Sequence, residues 1–450
     1  MSLTSKLKNI HFLSLMGTGG MSVLLFFFNG ILYRSLSIND IGIWFFFQTV
    51  LSFMDTFRQG FLTTAFIKFY SGSDEGRKKE VIGSTWVISS GITLAFIIVN
   101  IPILFILSYI TDQSLNYALK WFSLNLLSSL PMIIAMCITQ GDLRFDRLLY
   151  IRMMQVILMI GLLGVLIFTN SNNLHNLMLI NIIASTLTSL FTLVMGWTGI
   201  KHLFSKTKDC IKELFNFGKY TVGTSISSNL FGVTDTFVIN FMLGPSSLAV
   251  YNLGKRLLEV VEIPLRSFVS TAVPSLSKAY NLGDKEKVII TMKKYIGMIT
   301  IALIPILILS YIFAGFAMGV IGGGQYRGTE AGDIAVNIFR LSITYALLYP
   351  ADRFMSVTLD VIHKPHINFL KVIVMLIINL LFDIIGIYIF GNIYGVVIAT
   401  VFPIITAIII ANYVLQKEYY KFSLLNIYKL GYLEINSLIS NIYKKQKSNL

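Results

Sequence analysis

The sequence predicts an all-α membrane protein in which twelve transmembrane helices form two six-helix lobes and both termini are cytoplasmic. Three observations lead to this prediction. Of the 450 residues, 55% are hydrophobic and only 13% are charged. Apolar runs of about 20 residues recur along the whole chain, and each is long enough as a helix to cross about 30 Å of hydrocarbon. Positively charged residues also collect in every second connection between these runs.

Polar breaks divide the chain into twelve predicted spans. In chain order their approximate limits are 10–33, 41–67, 81–110, 118–140, 148–169, 176–200, 216–243, 248–276, 288–320, 334–358, 367–390 and 394–416. Spans 7 and 8 are joined by LGPSS, and spans 11 and 12 by GNI. Connections this short require the two helices to be antiparallel neighbours.

The orientation is predicted from lysine and arginine, because both are retained on the cytoplasmic side during insertion. With the N-terminus inside, the inner segments hold most of the 36 basic residues, and the outer segments hold only Arg34, Lys120 and Arg327. A different number of spans would place basic residues in both the inner and the outer segments. The net charge of +14 is therefore attributed to topology and to attraction toward anionic inner-leaflet lipid, not to nucleic-acid binding.

The predicted spans define three regions. Residues 1–205 form the N-terminal six-helix lobe, residues 206–416 form the C-terminal six-helix lobe, and residues 417–450 form a cytoplasmic tail. The tail alternates apolar and polar residues, which predicts an amphipathic helix on the inner leaflet. The basic N-terminus precedes an apolar run too long for a signal-peptide core, so it is predicted to be an uncleaved first span.

Span 2 and span 8 resemble each other. Displaced by 207 residues, Asp55 aligns with Glu262, and displaced by 208 residues, Arg58 aligns with Arg266. Two six-helix repeats that face one another are a common transporter architecture, with the substrate site at their interface near the bilayer midplane. The internal repeat therefore favours a transporter.

Span 8 carries charged residues where lipid is expected. Lys255, Glu259, Glu262 and Arg266 are spaced by 4, 3 and 4 residues, so on a helix they form one stripe. Each charge facing lipid near the bilayer centre would cost about 2.5 to 3.5 kcal/mol on insertion scales. The stripe therefore predicts that span 8 lines a water-accessible interior.

Other spans add charges of both signs, which predicts a cavity that holds an anionic group and also offers carboxylates for ion coupling. The candidate anion-binding residues are Arg58, Lys255, Arg256, Arg266 and Arg340. The candidate ion-coupling residues are Asp55, Asp235, Glu259 and Glu262. The alternative is that such groups form structural salt bridges within the bundle, with Asp352 and Arg353 reaching the interface. Asp383 in span 11 is open to the same two interpretations.

Several motifs are not interpreted as sites. The glycine-rich run GGGQYRGTE at 322–330 lacks the Gly-Lys-Ser/Thr sequence of a phosphate loop. HKPH at 363–366 places a proline between its two histidines in a predicted connection. Cys137 and Cys210 lie far apart and predict neither a disulfide nor a metal site. The sequence therefore predicts no catalytic residue, metal or cofactor.

The segment from Glu213 to Tyr280 resembles the start of the second half of polysaccharide-biosynthesis flippases. These form the oligosaccharide-lipid (Wzx-type) branch of the multidrug/oligosaccharidyl-lipid/polysaccharide (MOP) superfamily. The matching features are LF-x-FG at 214–218, Asp235 with the following apolar stretch to LGP at 243–245, and LAVYNLGKRL at 248–257. GTGG at 17–20 and IGIW at 41–44 are the weaker counterparts in the first half.

The resemblance implies a cargo and a location. The cargo is a polyprenyl-diphosphate-linked oligosaccharide, moved from the inner to the outer leaflet by alternating access for lipopolysaccharide O-antigen or capsule synthesis. The location is the bacterial cytoplasmic (inner) membrane, where membrane lipid and other glycan-assembly membrane proteins are the implied partners. Spans 1, 2, 7 and 8 would border the cavity, and Arg58 and Arg266 would contact the diphosphate through several donors each.

Two other functions are weighed against a flippase. A MATE-type multidrug or cation antiporter would favour a more acidic and aromatic binding lobe, and the paired arginines disfavour it. A membrane glycan polymerase or ligase would need polar catalytic groups in a long outer loop, whereas the predicted outer connections are short. The protein is therefore predicted not to be an enzyme.

Overall fold

The computed structural model describes the backbone of residues 10–447 and side chains between Gly20 and Ser437, except for some positions in the two helices between residues 208 and 281. The described residues form α-helices, short 3₁₀-helices and connections, and contain no strand. In the first half the helices are α1 (Ile10–Ser35), α2 (Ile38–Tyr70), α3 (Glu75–Phe105), α4 (Gln113–Gly141), α5 (Phe145–Phe168), α6 (Leu174–Val194) and α7 (Lys208–Leu243). In the second half they are α8 (Pro245–Asn281), α9 (Lys285–Ile312), α10 (Ala314–Gly322), α11 (Glu330–Ala346), α12 (Tyr349–Val361), α13 (Pro365–Phe390), α14 (Tyr394–Ala399), α15 (Val401–Glu418) and α16 (Ile427–Lys447). The 3₁₀-helices are Leu107–Tyr109, Ile200–Ser205 and Gly323–Gln325.

Each of the twelve predicted spans coincides with one helix or with two consecutive helices. In the described part of the chain, six single helices and the consecutive pair α14 and α15 are long and apolar enough to cross a membrane, which makes seven candidate spans. The pair α11 and α12, bent by 48°, makes an eighth if it forms one span. The prediction of an all-α, multi-pass membrane protein is thereby confirmed. The number of twelve spans, their grouping into lobes and the cytoplasmic placement of both termini stay predictions.

Short polar side chains fix where many helices begin. Such a side chain accepts a hydrogen bond from a backbone N–H that the first turn of a helix cannot satisfy. The residues that cap helix N-termini in this way are Ser37, Asp74, Asp112, Asn173, Thr207, Asp284 and Thr329. These caps lie inside the polar breaks used to delimit the spans. The helices therefore begin several residues before the apolar runs do.

The chain forms two compact units. The first contains Met1–Ala249 and Ile321–Gln325, and the second contains Val250–Val320 and Tyr326–Leu450. By its contacts α7 belongs to the first unit, although the division expected after residue 205 assigns it to the C-terminal lobe. The two six-helix lobes stay a prediction.

Small residues let α7 approach α2 closely within the first unit. A Cβ atom on Gly218 would lie 2.6 Å from a ring carbon of Phe61, and one on Gly60 would lie 3.0 Å from the Cα of Val222. Close backbone approach through small residues is a usual way for membrane helices to associate. The contact holds α2 in place beside α7, and α2 also packs against α4.

The five residues Ile321–Gln325 belong to the first unit although their neighbours on both sides belong to the second. The amide of Gln325 donates a hydrogen bond to the carbonyl oxygen of Leu36 at 2.8 Å. Gly323 has a φ of +65° and lies against the side chain of Arg34. The segment therefore packs on the end of α1.

The tail helix α16 packs against α9 in the second unit. A Cβ atom on Gly431 would overlap the backbone of Gly297, which shows how closely the two helices approach. The Lys294 ammonium lies 2.8 Å from a carboxylate oxygen of Glu434. Tyr432 is exposed on α16. The tail is therefore helical, as expected, and its placement on the inner leaflet stays a prediction.

We expect Gly431→Leu to release α16 from α9. Overpacking a close contact costs about 1 to 3 kcal/mol, which raises the undocked population about 5- to 150-fold. Limited trypsin digestion of the purified protein measures this release as faster cleavage in the tail. Asn436→Leu, at an exposed position of the same helix, is the control. Equal digestion rates for the two variants would show that the close contact does not hold the helix.

Candidate functional site

The first unit contains a cavity of about 640 Å³, lined mainly by α2 and α4, with two residues each from α5, α6 and α7. Pockets of about 300 to 1,000 Å³ hold drug-sized molecules. The described lining combines hydroxyl groups, seven side-chain amides, one carboxylate and two arginines. The amides are Gln48, Gln59, Asn125, Gln140, Gln155, Asn181 and Asn229.

Helix α2 supplies one continuous polar stripe to this cavity. Gln48, Ser52, Asp55, Gln59 and Thr63 all line it, and their spacing of 4, 3, 4 and 4 residues places them on one helix face. Polar groups inside a membrane helix face a cavity or partner groups, because lipid cannot satisfy them. The stripe is therefore the wall that α2 presents to the cavity.

All hydrogen-bond partners of the Arg58 guanidinium in the described structure belong to α2 and α4. Its side chain is fully buried, and its Nε donates to Asp55 Oδ1 at 3.1 Å. Nη1 donates to the carbonyl oxygen of Leu126 at 2.8 Å. Nη2 donates to Ser129 Oγ at 2.8 Å and also to Asp55. All three guanidinium nitrogens are thus engaged by α2 and α4.

The carboxylate is the member of this pair that reaches the cavity. The side chain of Asp55 is 30% exposed, whereas that of Arg58 is 1% exposed. Arg58 therefore orients Asp55 in this structure and does not offer its guanidinium to a ligand. The expected contact between Arg58 and a diphosphate stays a prediction, and it would require the guanidinium to leave these partners.

Arg152 is a lining residue that is absent from the candidate residues predicted from the sequence. It is exposed and lines the cavity together with Gln155, and no hydrogen bond or ion pair joins it to another described residue. It was counted among the basic residues of the inner segments, although it lies within the predicted limits of span 5, 148–169. Helix α5 begins at Phe145, so Arg152 lies two turns inside it. The spacing of three between Arg152 and Gln155 in an otherwise apolar run was the available signal.

The cavity amides fall into two groups. Asn181 donates to Asn125 Oδ1 at 2.6 Å, Gln155 donates to Ser185 Oγ at 3.4 Å, and Asn229 donates to the carbonyl oxygen of Ser225 at 3.0 Å. The side-chain amides of the other three, Gln48, Gln59 and Gln140, make no hydrogen bond to another described residue. Each free amide presents two N–H donors and a carbonyl acceptor. These three side chains can therefore bind groups that both donate and accept hydrogen bonds.

In the second unit, two of the expected site residues have partners nearby on α8. The Lys255 ammonium lies 4.7 Å from the ring centre of Tyr251. Arg256 Nη1 donates to both carboxylate oxygens of Glu259 at 3.1 Å. The structure thus pairs one expected anion-binding residue with one expected ion-coupling residue.

The remaining expected residues lie apart along the chain. Arg340 on α11 donates from Nε to the carbonyl oxygen of Tyr311 at 3.3 Å, and Asp235 is buried in α7. Glu262 is partly buried in α8, and the side chain of Arg266 lies outside the described residues. The expected roles of these residues stay predictions.

Asp352 forms a buried salt bridge in the second unit. Its Oδ1 lies 2.8 Å from the ammonium of Lys371, which is 2% exposed and also contacts Ser356. The sequence left Asp352 open between a cavity charge and a structural group that pairs or reaches the interface beside Arg353, and Lys371 was counted among the basic residues of the inner segments. Lys371 lies in α13 and reaches α12. The salt-bridge interpretation therefore fits Asp352 best.

Comparison with known proteins identifies relatives along most of the chain. Residues 31–330 match the family described as polysaccharide biosynthesis protein. A probable low-salt glycan biosynthesis flippase from Haloferax volcanii is 21% identical over 413 residues, which cover 90% of this chain and 82% of the relative.

Solved structures share the fold. The lipid II flippase MurJ, in an inward closed conformation, matches with a TM-score of 0.73 and 18% identity over 94% of this chain and 90% of MurJ. An inward-facing multidrug resistance MATE transporter of the MOP superfamily matches with a TM-score of 0.69 and 14% identity over 93% of this chain and 95% of the transporter. At these identities the likeness establishes the fold alone.

These relatives are flippases and transporters and not enzymes, in agreement with the prediction that this protein is not an enzyme. The family match extends over well more than half of the sequence. The chain therefore belongs to the polysaccharide biosynthesis protein family.

Proposed function

We propose that this protein is a flippase for polyprenyl-diphosphate-linked oligosaccharide. It moves the lipid from the inner to the outer leaflet by alternating access, for surface polysaccharide of the O-antigen or capsule type. The observation that carries the proposal is a polar cavity of about 640 Å³ among apolar helices. The glycan biosynthesis flippase from Haloferax volcanii and the lipid II flippase MurJ support the same class of cargo.

The cavity addresses the physical difficulty of moving such a lipid. A diphosphate is charged and sugars carry many hydroxyl groups, so neither enters hydrocarbon without a large loss of hydration free energy. Side-chain amides, hydroxyls and Arg152 offer replacement hydrogen bonds within the bundle. The polyprenyl chain needs no such replacement and stays in the lipid.

The proposed residue roles follow the sequence analysis. The anion-binding set is Arg58, Lys255, Arg256, Arg266 and Arg340, and the ion-coupling set is Asp55, Asp235, Glu259 and Glu262. Asp55 is the carboxylate in the described lining of the cavity, which supports its place in the second set. The proposed location is the bacterial inner membrane, with other glycan-assembly membrane proteins as partners.

A MATE-type cation antiporter is the second candidate, because MATE transporters share the fold and the Asp55 carboxylate faces the cavity. A site for aromatic cations would favour aromatic and acidic side chains. The described lining contains amides and hydroxyls but no aromatic residue. This composition favours a sugar head group over an organic cation.

Reconstitution distinguishes the two functions. Proteoliposomes would carry lipid-linked oligosaccharides extracted from the host membranes, and membrane-impermeant periodate would report which sugars reach the outer face. We expect protein-dependent exposure of lumenal sugars and no gradient-driven uptake of ethidium. Protein-free liposomes are the control. Ethidium transport without sugar exposure would contradict the flippase proposal.

A further inference from the structure

The cavity has two chemically different ends. Tyr70 donates from its hydroxyl to Asp142 at 2.8 Å, and Ser71 donates to the carbonyl oxygen of Gly141 at 3.1 Å. The end of α2, the end of α4 and the start of α5 therefore lie on the same side of the first unit. Arg152 lies about 10 Å along α5 from that side, whereas Gln48 lies about 33 Å along α2 from it.

Among the described lining residues, positive charge without a paired carboxylate lies near the first of these ends. Arg58 is paired with Asp55 and buried, so only the carboxylate side of this ion pair reaches the cavity. Arg152 is left as the cation of the described lining that has no paired carboxylate. A guanidinium presents a planar fork of donors that matches phosphate oxygens, and its hydrogen bonds to an anion are about twice as strong as neutral ones.

Farther from the side where α2 and α4 end, the described lining offers mainly neutral hydrogen-bonding groups. Gln59 and Gln48 lie on the polar stripe of α2 on either side of Asp55, and neither amide is engaged by another described residue. An amide both donates and accepts, as a sugar hydroxyl does. An acidic sugar at this position would lie beside the exposed carboxylate of Asp55. Repulsion between the two negative charges would weaken its binding.

We infer that the cavity binds its cargo in one orientation, with the diphosphate on Arg152 and neutral sugars along Gln59 and Gln48. This inference rests on the proposed flippase function. It assigns phosphate recognition to α5 and sugar selection to the stripe of α2. The cargo class is thereby narrowed to a diphosphate lipid whose sugars nearest the phosphate are uncharged.

Two lipid probes test the orientation on the purified protein in nanodiscs. One is a C55 polyprenyl diphosphate, and the other is the same lipid carrying a neutral disaccharide. Loss of charge-assisted bonds worth about 1.5 to 3 kcal/mol lowers affinity about 10- to 150-fold, so we expect Arg152→Gln to weaken both probes by that factor. We expect Gln59→Ala to weaken only the sugar-bearing probe, by about 5- to 10-fold for one neutral hydrogen bond.

Arg147→Gln is the matched control, because Arg147 lies on the same helix and stacks at 5.4 Å on Trp197 instead of lining the cavity. It should leave both affinities unchanged. Arg152→Lys keeps the positive charge but lacks the planar guanidinium donors, so it should retain part of the affinity for both probes. Thermal unfolding of each variant confirms that it is folded.

The proposed orientation is wrong if Arg152→Gln weakens binding of only the sugar-bearing probe, or if Gln59→Ala weakens binding of both probes equally. Failure of the unsubstituted protein to bind either probe would instead refute the flippase proposal.

Discussion

Arg58→Ala is expected to destabilise the first unit and to abolish transport. The substitution removes the partner of Asp55 Oδ1, of the Leu126 carbonyl and of Ser129. Breaking a buried ion pair from one side costs about 3 to 5 kcal/mol, because the remaining charge has no compensation. For a unit of this size the cost corresponds to a fall in unfolding temperature of about 6 to 20 °C, measurable by thermal unfolding in detergent.

The double variant Asp55→Ala with Arg58→Ala separates this explanation from others. It leaves no unpaired charge, so we expect it to recover most of the lost unfolding temperature, and the mutant cycle gives the coupling between the two residues. Asp55→Asn alone keeps an oxygen acceptor but leaves the buried Arg58 guanidinium without a counter-charge, so we expect it to lower the unfolding temperature by an amount comparable to Arg58→Ala. If Arg58→Ala unfolds at the normal temperature yet transports nothing, Arg58 contacts the cargo, as the sequence analysis predicted.

Gly42→Leu is expected to prevent the first unit from folding. Gly42 on α2 lies against the first residue of α8, where a Cβ atom would overlap the carbonyl of Pro245 and lie 2.9 Å from its Cα. Those atoms are backbone, so they cannot move aside as a side chain does. Overpacking typically costs about 1 to 3 kcal/mol and occasionally more, and we expect an overlap with fixed backbone to exceed that range. The start of α8 also contains Ala249, whose carbonyl oxygen accepts a hydrogen bond from the Tyr33 hydroxyl at 3.2 Å. A shift of Pro245 would therefore disturb this hydrogen bond as well.

The measurement is the yield of monodisperse protein on size-exclusion chromatography, together with its unfolding temperature. Gly91→Ala is the control, since Gly91 lies in α3 with nothing within 4 Å of an added Cβ. Alanine is favoured over glycine inside a helix by about 0.5 to 1 kcal/mol, so this variant should be as stable as the unsubstituted protein or more so. A normal yield for Gly42→Leu would show that the contact with Pro245 can open without loss of the fold.

Helix positions were predictable because apolar length and capping residues act locally. The bend between α11 and α12 was not predicted, and the sequence analysis treated 334–358 as one span. Pro350 lies in the first turn of α12, where its missing N–H and fixed φ suit a helix start but interrupt the preceding hydrogen-bond ladder. The bend of 48° follows from this one residue.

The site was predictable only where the partners share a helix. Asp55 and Arg58 lie three residues apart in span 2, which places them on one helix face, and they form an ion pair. Which of the two faces the cavity depends on Leu126 and Ser129 of α4, which the α2 sequence does not reveal. The place of Arg152 in the cavity lining was not predicted, because packing between helices brings it to the same cavity as residues of α2 and α4.

The placement of Ile321–Gln325 in the first unit affects any attempt to express the halves of this protein separately. The polypeptide passes from one unit to the other after Ala249, returns after Val320, and leaves again after Gln325. A fragment ending at Ala249 would lack five residues of its own fold, including the amide that caps the Leu36 carbonyl. The complementary fragment, which begins at Val250, would contain those five residues. We therefore expect that cutting the chain after Ala249 does not give two fragments that each contain all residues of one unit.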